Sequence, residues 1–566
     1  MSVFVGIHDG HNASVAVVRD GRIELALQEE RLTRIKNQGD APARAARLAF
    51  QMLNGDGANA RIGLNGLYMN YHQWERTTIL RDYDRSADLV GRWKQSFKGT
   101  FVDRAYQKSK ADLRVEALSE IGVPADRMEP VEHHLAHASA AYHTAPWKDE
   151  KVLVLTCDGA GDRLSATVSI GEHGTISRLA SVSEHDSIGR LYALVTRYLG
   201  MAPLEHEYKV MGLAPYVARG SRVESSARDF SGLFVFSADG LSWKRRAAVP
   251  SMYSAYGFIK ILLAGKRFDT IAAGVQKFIE DMLVRWVSSA VRETGIRKVA
   301  CGGGVFMNVK ANLALLEIPE VEDLYVFPSC GDESNSIGAA CHLAAQTGEK
   351  IQAPGALYYG EPITDGEAQL VLESIASPRV RFRVERDIER VAAEKLAEGK
   401  VVARAKGAVE FGARALGNRS ILARADSPTA VREINEMVKN RDFWMPFGPS
   451  VLSERATDYY EKPKPVLSPY MMFGFRSRPE KRAVFGAALH PYDFTTRPQE
   501  VLEVHNPDYY RLLQEYEGRT GEGILLNTSF NLHGEPIVYR ACDAVKVFLE
   551  SGLRYMALGN WWVEKI

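Results

Sequence analysis

Cysteine is scarce. Five residues, Cys157, Cys301, Cys330, Cys341 and Cys542, are scattered through 566 positions, odd in number and with no C-x-x-C pair. That pattern gives no disulfide framework and reads as free, buried thiols in a reducing compartment. No apolar run approaches the length of a membrane span. No basic segment and long apolar stretch precede the first strand, so a signal peptide is not evident and a cytoplasmic location is expected. A charge of one sign is also missing: 71 basic and 70 acidic residues leave a formal net charge of +1. A broad basic surface for long nucleic acid is therefore not expected, although a local basic pocket is compatible with a balanced total.

What remains is an ordinary soluble composition, 46% hydrophobic and 25% charged, in a chain too long for one core. Two or three domains are expected. Val3 to Ile7 reads as a β-strand, His8 to Asn12 as a turn, Ala13 to Val18 as a second strand and Ile23 to Leu27 as a third. The pattern returns roughly 150 residues later. Val152 to Thr156 is a strand, Asp158-Gly159 a turn, and Ser165 to Ile170 another strand. Two strand–Asp-Gly–strand units suggest an internal duplication, as in actin-like folds with a nucleotide between the halves. Gly302-Gly303-Gly304, at the end of a strand, could approach a phosphate or ribose because glycine has no Cβ. The texture changes near Ala353-Pro-Gly-Ala, so 351–380 is read as a linker. Residues 55–125 are read as an insertion and 218–255 as a lid or loop.

Several constellations could carry chemistry. In His133-His134-Leu-Ala-His137-Ala, helical spacing puts His133 and His137 on one face and turns His134 away. Asp158 and Asp332 fall at strand ends, where α/β folds assemble sites. Two histidines and two aspartates suit a borderline cation such as Fe2+, Mn2+ or Zn2+; the plainer reading is a helix whose histidines make polar contacts. His11, in His8-Asp-Gly-His11-Asn-Ala-Ser14, is either a general base for a hydroxyl or a structural turn residue. Lys36, ending Glu29-Glu-Arg-Leu-Thr-Arg-Ile-Lys36, and Lys209 lie either on solvated faces or beside an anion. The C-terminal part carries a basic set: Arg404, Lys406, Arg414, Arg419, Lys439, Arg441 and Arg497. Singly each is surface charge; together they match phosphate. Asn527-Thr-Ser529-Phe-Asn531 reads as a polar turn leaving the strand Ile524 to Leu526.

These motifs, in this order, resemble the NodU/CmcH-type O-carbamoyltransferase family over nearly the whole chain. The resemblance rests on His11-Asn-Ala-Ser, the Glu29 to Lys36 string, His133-His-Leu-Ala-His137, Asp158-Gly, Lys209-Val-Met-Gly-Leu-Ala, Gly302-Gly-Gly-Val and Asp332 before Ile337-Gly-Ala-Ala. It continues through Gly412-Ala-Arg414-Ala-Leu-Gly-Asn-Arg419-Ser and Asn527-Thr-Ser-Phe-Asn531 with Gly534-Glu-Pro-Ile.

It implies a mixed α/β and α+β chain: a duplicated actin-like (ASKHA) domain over 1–350 and a YrdC-like domain over 381–566. It implies that the second domain makes carbamoyl-adenylate from carbamoyl phosphate and Mg-ATP. The carbamoyl group then passes at the first domain to a hydroxylated small-molecule acceptor, a natural product in several members. His133, His137, Asp158 and Asp332 would hold the metal, iron by resemblance, with His11 as base and Lys36 beside it. Arg414, Arg419, Lys439 and Arg497 would hold phosphates, with Arg441, Asn527, Ser529 and Asn531 around them. Lys209, Gly302, Gly303, Gly304 and Asn308 would face the adenylate in the transfer domain. The acceptor pocket is expected in 55–125 and 218–255, and a homodimer is the assembly that relatives suggest. Three positions depart from the pattern: Met445 and His533 stand where relatives have arginine, and Ser334 where glycine is common. An actin-like small-molecule kinase and a tRNA threonylcarbamoyl-type enzyme are the alternatives. The first leaves the histidine helix unexplained, and the near-neutral charge speaks against the second.

Overall fold

The structure is a computed structural model and describes residues 2–67, 76–84, 101–147, 149–218, 220–375, 377–439 and 442–566. The chain packs as two units. One comprises Met1–Glu29 and Asn37–Ala353, the other Glu30–Lys36 and Pro354–Ile566. Among the described residues no helix is long and apolar enough to cross a membrane.

The first unit is built twice on one plan. β1 (Val3–His8), β2 (Ser14–Arg19) and β3 (Arg22–Gln28) form an antiparallel meander, and β4 (Arg61–Asn65) and β5 (Met128–Val131) add in parallel on the far side of β1. β6 (Val152–Gly161), β7 (Leu164–Glu172) and β8 (Thr175–Ser183) repeat the meander, with the strands Lys298–Gly302 and Asp323–Val326 parallel beyond β6. The two sheets share strand order and sense, which is the duplicated actin-like architecture. All six residues of β1 are buried, as expected for a central strand covered on both faces. The helix Asn335–Gln346 crosses β1 and β4 and packs against the helix His133–Thr144. Its backbone comes close enough that a Cβ on Gly6 would overlap the Ser336 carbonyl and one on Gly338 the Ala136 carbonyl.

The second unit is α+β. Among the described residues its main sheet has eight strands, Val380–Val384, Trp561–Lys565, Tyr555–Leu558, Val402–Ala405, Arg419–Arg424, Ile524–Ser529, Gly448–Leu452 and Gln499–Val501, in that spatial order. Strand alternation supplies two cores. Val402 and Leu422 face the helices Ile388–Ala397 and Pro507–Thr520, while Ala403 and Ile421 face Asp365–Glu373 and Ala541–Glu550.

Several expectations need correction. Asp158-Gly159 is not the hairpin turn: β6 runs to Gly161 with a register shift after Cys157, and the chain reverses at Asp162 and Arg163, both at positive φ. The insertion does not begin at 55, because Arg61–Asn65 is a core strand; part of the rest, 68–75 and 85–100, lies outside the described residues. The stretch 218–255 is not a loop. It holds the helix Ser221–Ser231 and the hairpin Phe234–Phe236/Trp243–Arg245, anchored by buried Trp243, whose Nε1 donates to the Asp186 carbonyl at 2.9 Å. The stretch 351–380 is only partly linker, since Pro362–Ile363 pairs with Gly407–Ala408 and Asp365–Glu373 packs as a helix. Asn527 to Ser529 lie in the strand Ile524–Ser529 rather than in a turn. Cys542 is exposed, unlike the other four cysteines.

Candidate active site

The helix His133–Thr144 starts where Glu132 caps it, accepting the amides of His134 (3.1 Å) and Leu135 (2.8 Å). One turn apart, His133 and His137 present their rings 4.8 Å from each other. Asp158 reaches them from the irregular end of β6 and Asp332 from the short turn Asp332–Ser334. His133 Nε2 lies 3.3 Å from Asp158 Oδ2 and 3.6 Å from Asp332 Oδ1, and His137 Nε2 lies 3.5 Å from Asp332 Oδ1. One ligand atom from each residue falls within 4.8 Å of all the others. A cation bonded at about 2.0–2.2 Å sets its ligand atoms about 3–3.5 Å apart, so this spacing fits one ion. Asp158 Oδ1 accepts the Gly304 amide at 2.9 Å, leaving Oδ2 for the histidines. Asp332 Oδ1 is buried with no hydrogen-bond partner among the described residues. Burial opposes charge on His133, but the hydrogen bond to Asp158 and the charge on Asp332 outweigh it, raising its pKa to about 9. Burial likewise opposes charge on Asp158, and its bond to His133 and the field of His137 override that and hold it well below the usual carboxylate range. Two half-buried carboxylates facing two buried histidines could hold a divalent cation. The N2O2 donor set suits Fe2+, Mn2+ or Zn2+. His134 turns away to Thr156 Oγ1 at 2.8 Å, and Ser334 Oγ sits 3.5 Å from His137 Nδ1.

The first hairpin turn stands near this cluster and is heavily braced. His8 Nδ1 accepts from Asn65 Nδ2 at 2.8 Å and its Nε2 donates to the His11 carbonyl at 3.0 Å. Burial lowers the His8 pKa to about 4, keeping the ring neutral. Asp9 forms a two-pronged pair with Arg114, at 2.7 Å (Nε) and 2.5 Å (Nη2), and both are buried. Arg114 also donates to the carbonyls of Gly66 (2.6 Å) and Asn65. Asn12, at φ 62°, gives its Nδ2 to Glu333 Oε2 at 3.0 Å, and Ser14 Oγ donates to the Glu333 carbonyl at 2.8 Å. The turn that carries His11 is thereby tied to the turn that carries Asp332. His8, Asp9, Arg114 and Glu333 were not singled out from the sequence; the only local signal was the string His8-Asp-Gly-His11.

Other expected residues of this unit have quieter places. Gly303, at φ 98°, passes so close to β6 that a Cβ would overlap the Cys157 carbonyl. Asn308 caps the helix Val309–Leu316 and exchanges two hydrogen bonds with Gln276, at 3.0 and 2.9 Å. Lys209 is half-buried on the helix Glu207–Leu213. Lys36 belongs to the second unit by packing.

In the second unit Lys439, Ser529 and Asn531 converge. Lys439, ending the π-turn Asn435–Lys439, donates from Nζ to Asn531 Oδ1 (2.6 Å), Ser529 Oγ (3.1 Å) and the Ser529 carbonyl. His533 joins them, its Nδ1 donating to the Lys439 carbonyl at 2.7 Å. Arg414 lies half-buried in a loop wound around Glu410, whose Oε1 accepts the amides of Leu416 (2.9 Å), Asn418 (2.8 Å) and Arg419 (3.0 Å). Arg419 is fully buried, and its guanidinium donates to the carbonyls of Tyr539 and Gly407, each at 3.0 Å, and Asn418 at 2.9 Å. It braces the loop from beneath. Asn527 is likewise turned inward, to Ser450 Oγ (2.9 Å) and the Ala415 carbonyl (3.1 Å). Arg497 is half-buried after Thr495–Thr496, and Arg441 lies outside the described residues.

A family model for the carbamoyltransferase N-terminus matches residues 4–341, and one for the carbamoyltransferase C-terminus matches residues 393–565. Nodulation protein NolNO of Sinorhizobium fredii is 32% identical over 568 residues, covering 98% of this chain and 79% of that protein. The uncharacterized protein sll1178 of Synechocystis is 30% identical, covering 98% and 95%. Nodulation protein U of Rhizobium tropici is 27% identical, covering 95% and 93%. Among solved structures, component A of (R)-2-hydroxyglutaryl-CoA dehydratase from Acidaminococcus fermentans has a TM-score of 0.34 at 15% identity, over 61% of this chain and 100% of its own.

Proposed function

The chain belongs to the carbamoyltransferase family, and on that premise we propose that it is an ATP-dependent O-carbamoyltransferase acting on a hydroxyl of a small-molecule natural product. The second unit converts carbamoyl phosphate, ATP and water to carbamoyl-adenylate, pyrophosphate and phosphate. At the first unit the acceptor oxygen bonds to the carbamoyl carbon, the bond to the phosphate oxygen breaks, and AMP leaves. Carbamate is a poor electrophile, and adenylation supplies the leaving group it lacks.

The observation that carries this reading is the cluster His133, His137, Asp158 and Asp332, for which a kinase of the same architecture has no use. When bound there, a divalent metal, iron by family resemblance, supplies Lewis-acid polarisation of the carbonyl. His11, on the turn fixed by His8 and the Asp9–Arg114 pair, takes the proton of the acceptor hydroxyl. Lys439, Arg414 and Arg497 neutralise the phosphates of Mg-ATP and carbamoyl phosphate, and Glu410 and Arg419 hold the loop that presents Arg414.

The test mixes purified protein, Mg-ATP and carbamoyl phosphate without acceptor and separates the nucleotides. AMP with pyrophosphate is expected. ADP as the only product would overturn the proposal in favour of a kinase.

A further inference from the structure

Seven residues from the N-terminal part of the chain, Glu30–Lys36, fold into the second unit. Two arginines fasten them. Arg31, 2% exposed, pairs with Glu30 at 2.5 Å and donates from Nη2 to the Gly412 carbonyl at 2.5 Å. Gly412, at φ 94°, opens the turn that carries Arg414. Arg34 donates from Nη1 to the Ile537 carbonyl at 2.6 Å and from Nη2 to the Pro536 carbonyl at 2.7 Å, with Glu535 and Asp543 carboxylates each at 3.7 Å. The turn it grips is also bound by Asn531, whose Nδ2 donates to the Glu535 carbonyl at 2.6 Å. Asn531 in turn receives Lys439. So both loops that bring cations together in this unit are held by main-chain contacts to guanidinium groups from a distant part of the sequence.

We propose that Arg31 and Arg34 are positioning residues of the adenylating site, setting the Gly412 turn and the 535–537 turn so that Arg414 and Lys439 meet the nucleotide together. The proposal rests on reading the second unit as the adenylating one. The chemistry favours arginine for this work. One planar fork satisfies two adjacent carbonyls at once, which a lysine ammonium on a flexible stem does not do with the same geometry. Neither side chain need touch substrate, so the effect should run through the placement of other groups, where a displacement of about 1 Å can change a rate by about a hundredfold.

The experiment uses the full-length chain and measures pyrophosphate release without acceptor, titrating ATP and then carbamoyl phosphate. In Arg31→Gln/Arg34→Gln, KM for ATP should rise at least about tenfold and kcat should fall as well. The single variants Arg31→Lys and Arg34→Lys, which keep the charge but lose the fork, should fall between it and the parent. Wild-type KM and kcat in a folded glutamine variant would overturn the proposal. Should that variant not fold, parent-like kinetics in both lysine variants would overturn it equally. No AMP or pyrophosphate from the parent enzyme would overturn the adenylating reading itself, and this proposal with it.

Discussion

At the scale of the residue, a buried ion pair and a half-buried carboxylate make opposite statements about stability. Asp9 and Arg114 are closed off from water and satisfy each other. Arg114→Ala strands a buried carboxylate, and the expected loss is about 3–5 kcal/mol by denaturant unfolding; a loss below about 1 kcal/mol would show that water or another cation replaces it. Glu207 behaves otherwise. It is half-buried and accepts the Leu204 amide at 2.7 Å, but desolvation outweighs its backbone hydrogen bonds and raises its pKa from 4.5 to about 7. Between those values the folded chain holds a proton that the unfolded chain has released. Stability therefore falls as pH rises from 4.5 to about 7 and levels off above. Glu207→Gln should flatten that slope in unfolding midpoints measured at pH 5 and 7.5, and an unchanged slope would place the titration elsewhere. Neither residue was legible in the sequence, because Arg114 meets Asp9 across 105 positions and nothing local marks Glu207.

At the scale of the element, the legible features were those with a short period. The spacing of His133 and His137 and the short apolar runs broken by turns in the first strands point to a histidine helix and a meander, and both are present. Asp-Gly favours turns, yet β6 continues past Asp158 to the Gly161–Leu164 pair, its pairing with β7 lapsing only in between. Asn12 and Glu333, 321 positions apart, join two turns that no pattern linked. The contact of Asn335–Gln346 with β1 and with the histidine helix depends on glycine at its closest points. Gly338→Ala should push that helix from Ala136 and so separate Asp332 from the histidines. The expected outcome is a loss of about 1–3 kcal/mol with a fall in bound metal per chain by elemental analysis; full metal occupancy would show that the helix shift does not reach the site.

At the scale of the whole molecule, the duplicated plan was legible because its two halves repeat a local motif. The membership of Glu30–Lys36 in the second unit was not, since only packing reveals it. On the proposed division of labour between the units, the half-reactions are separable. His137→Ala should abolish carbamoyl transfer while AMP and pyrophosphate still form without acceptor, and loss of both products would argue against two sites. The excursion of Glu30–Lys36 also bears on how such chains recombine. A crossover at the 353/354 boundary would join a C-terminal half to a foreign Arg31 and Arg34, so functional chimeras between relatives should need that heptapeptide inherited with the half it serves, a two-point exchange rather than a single splice.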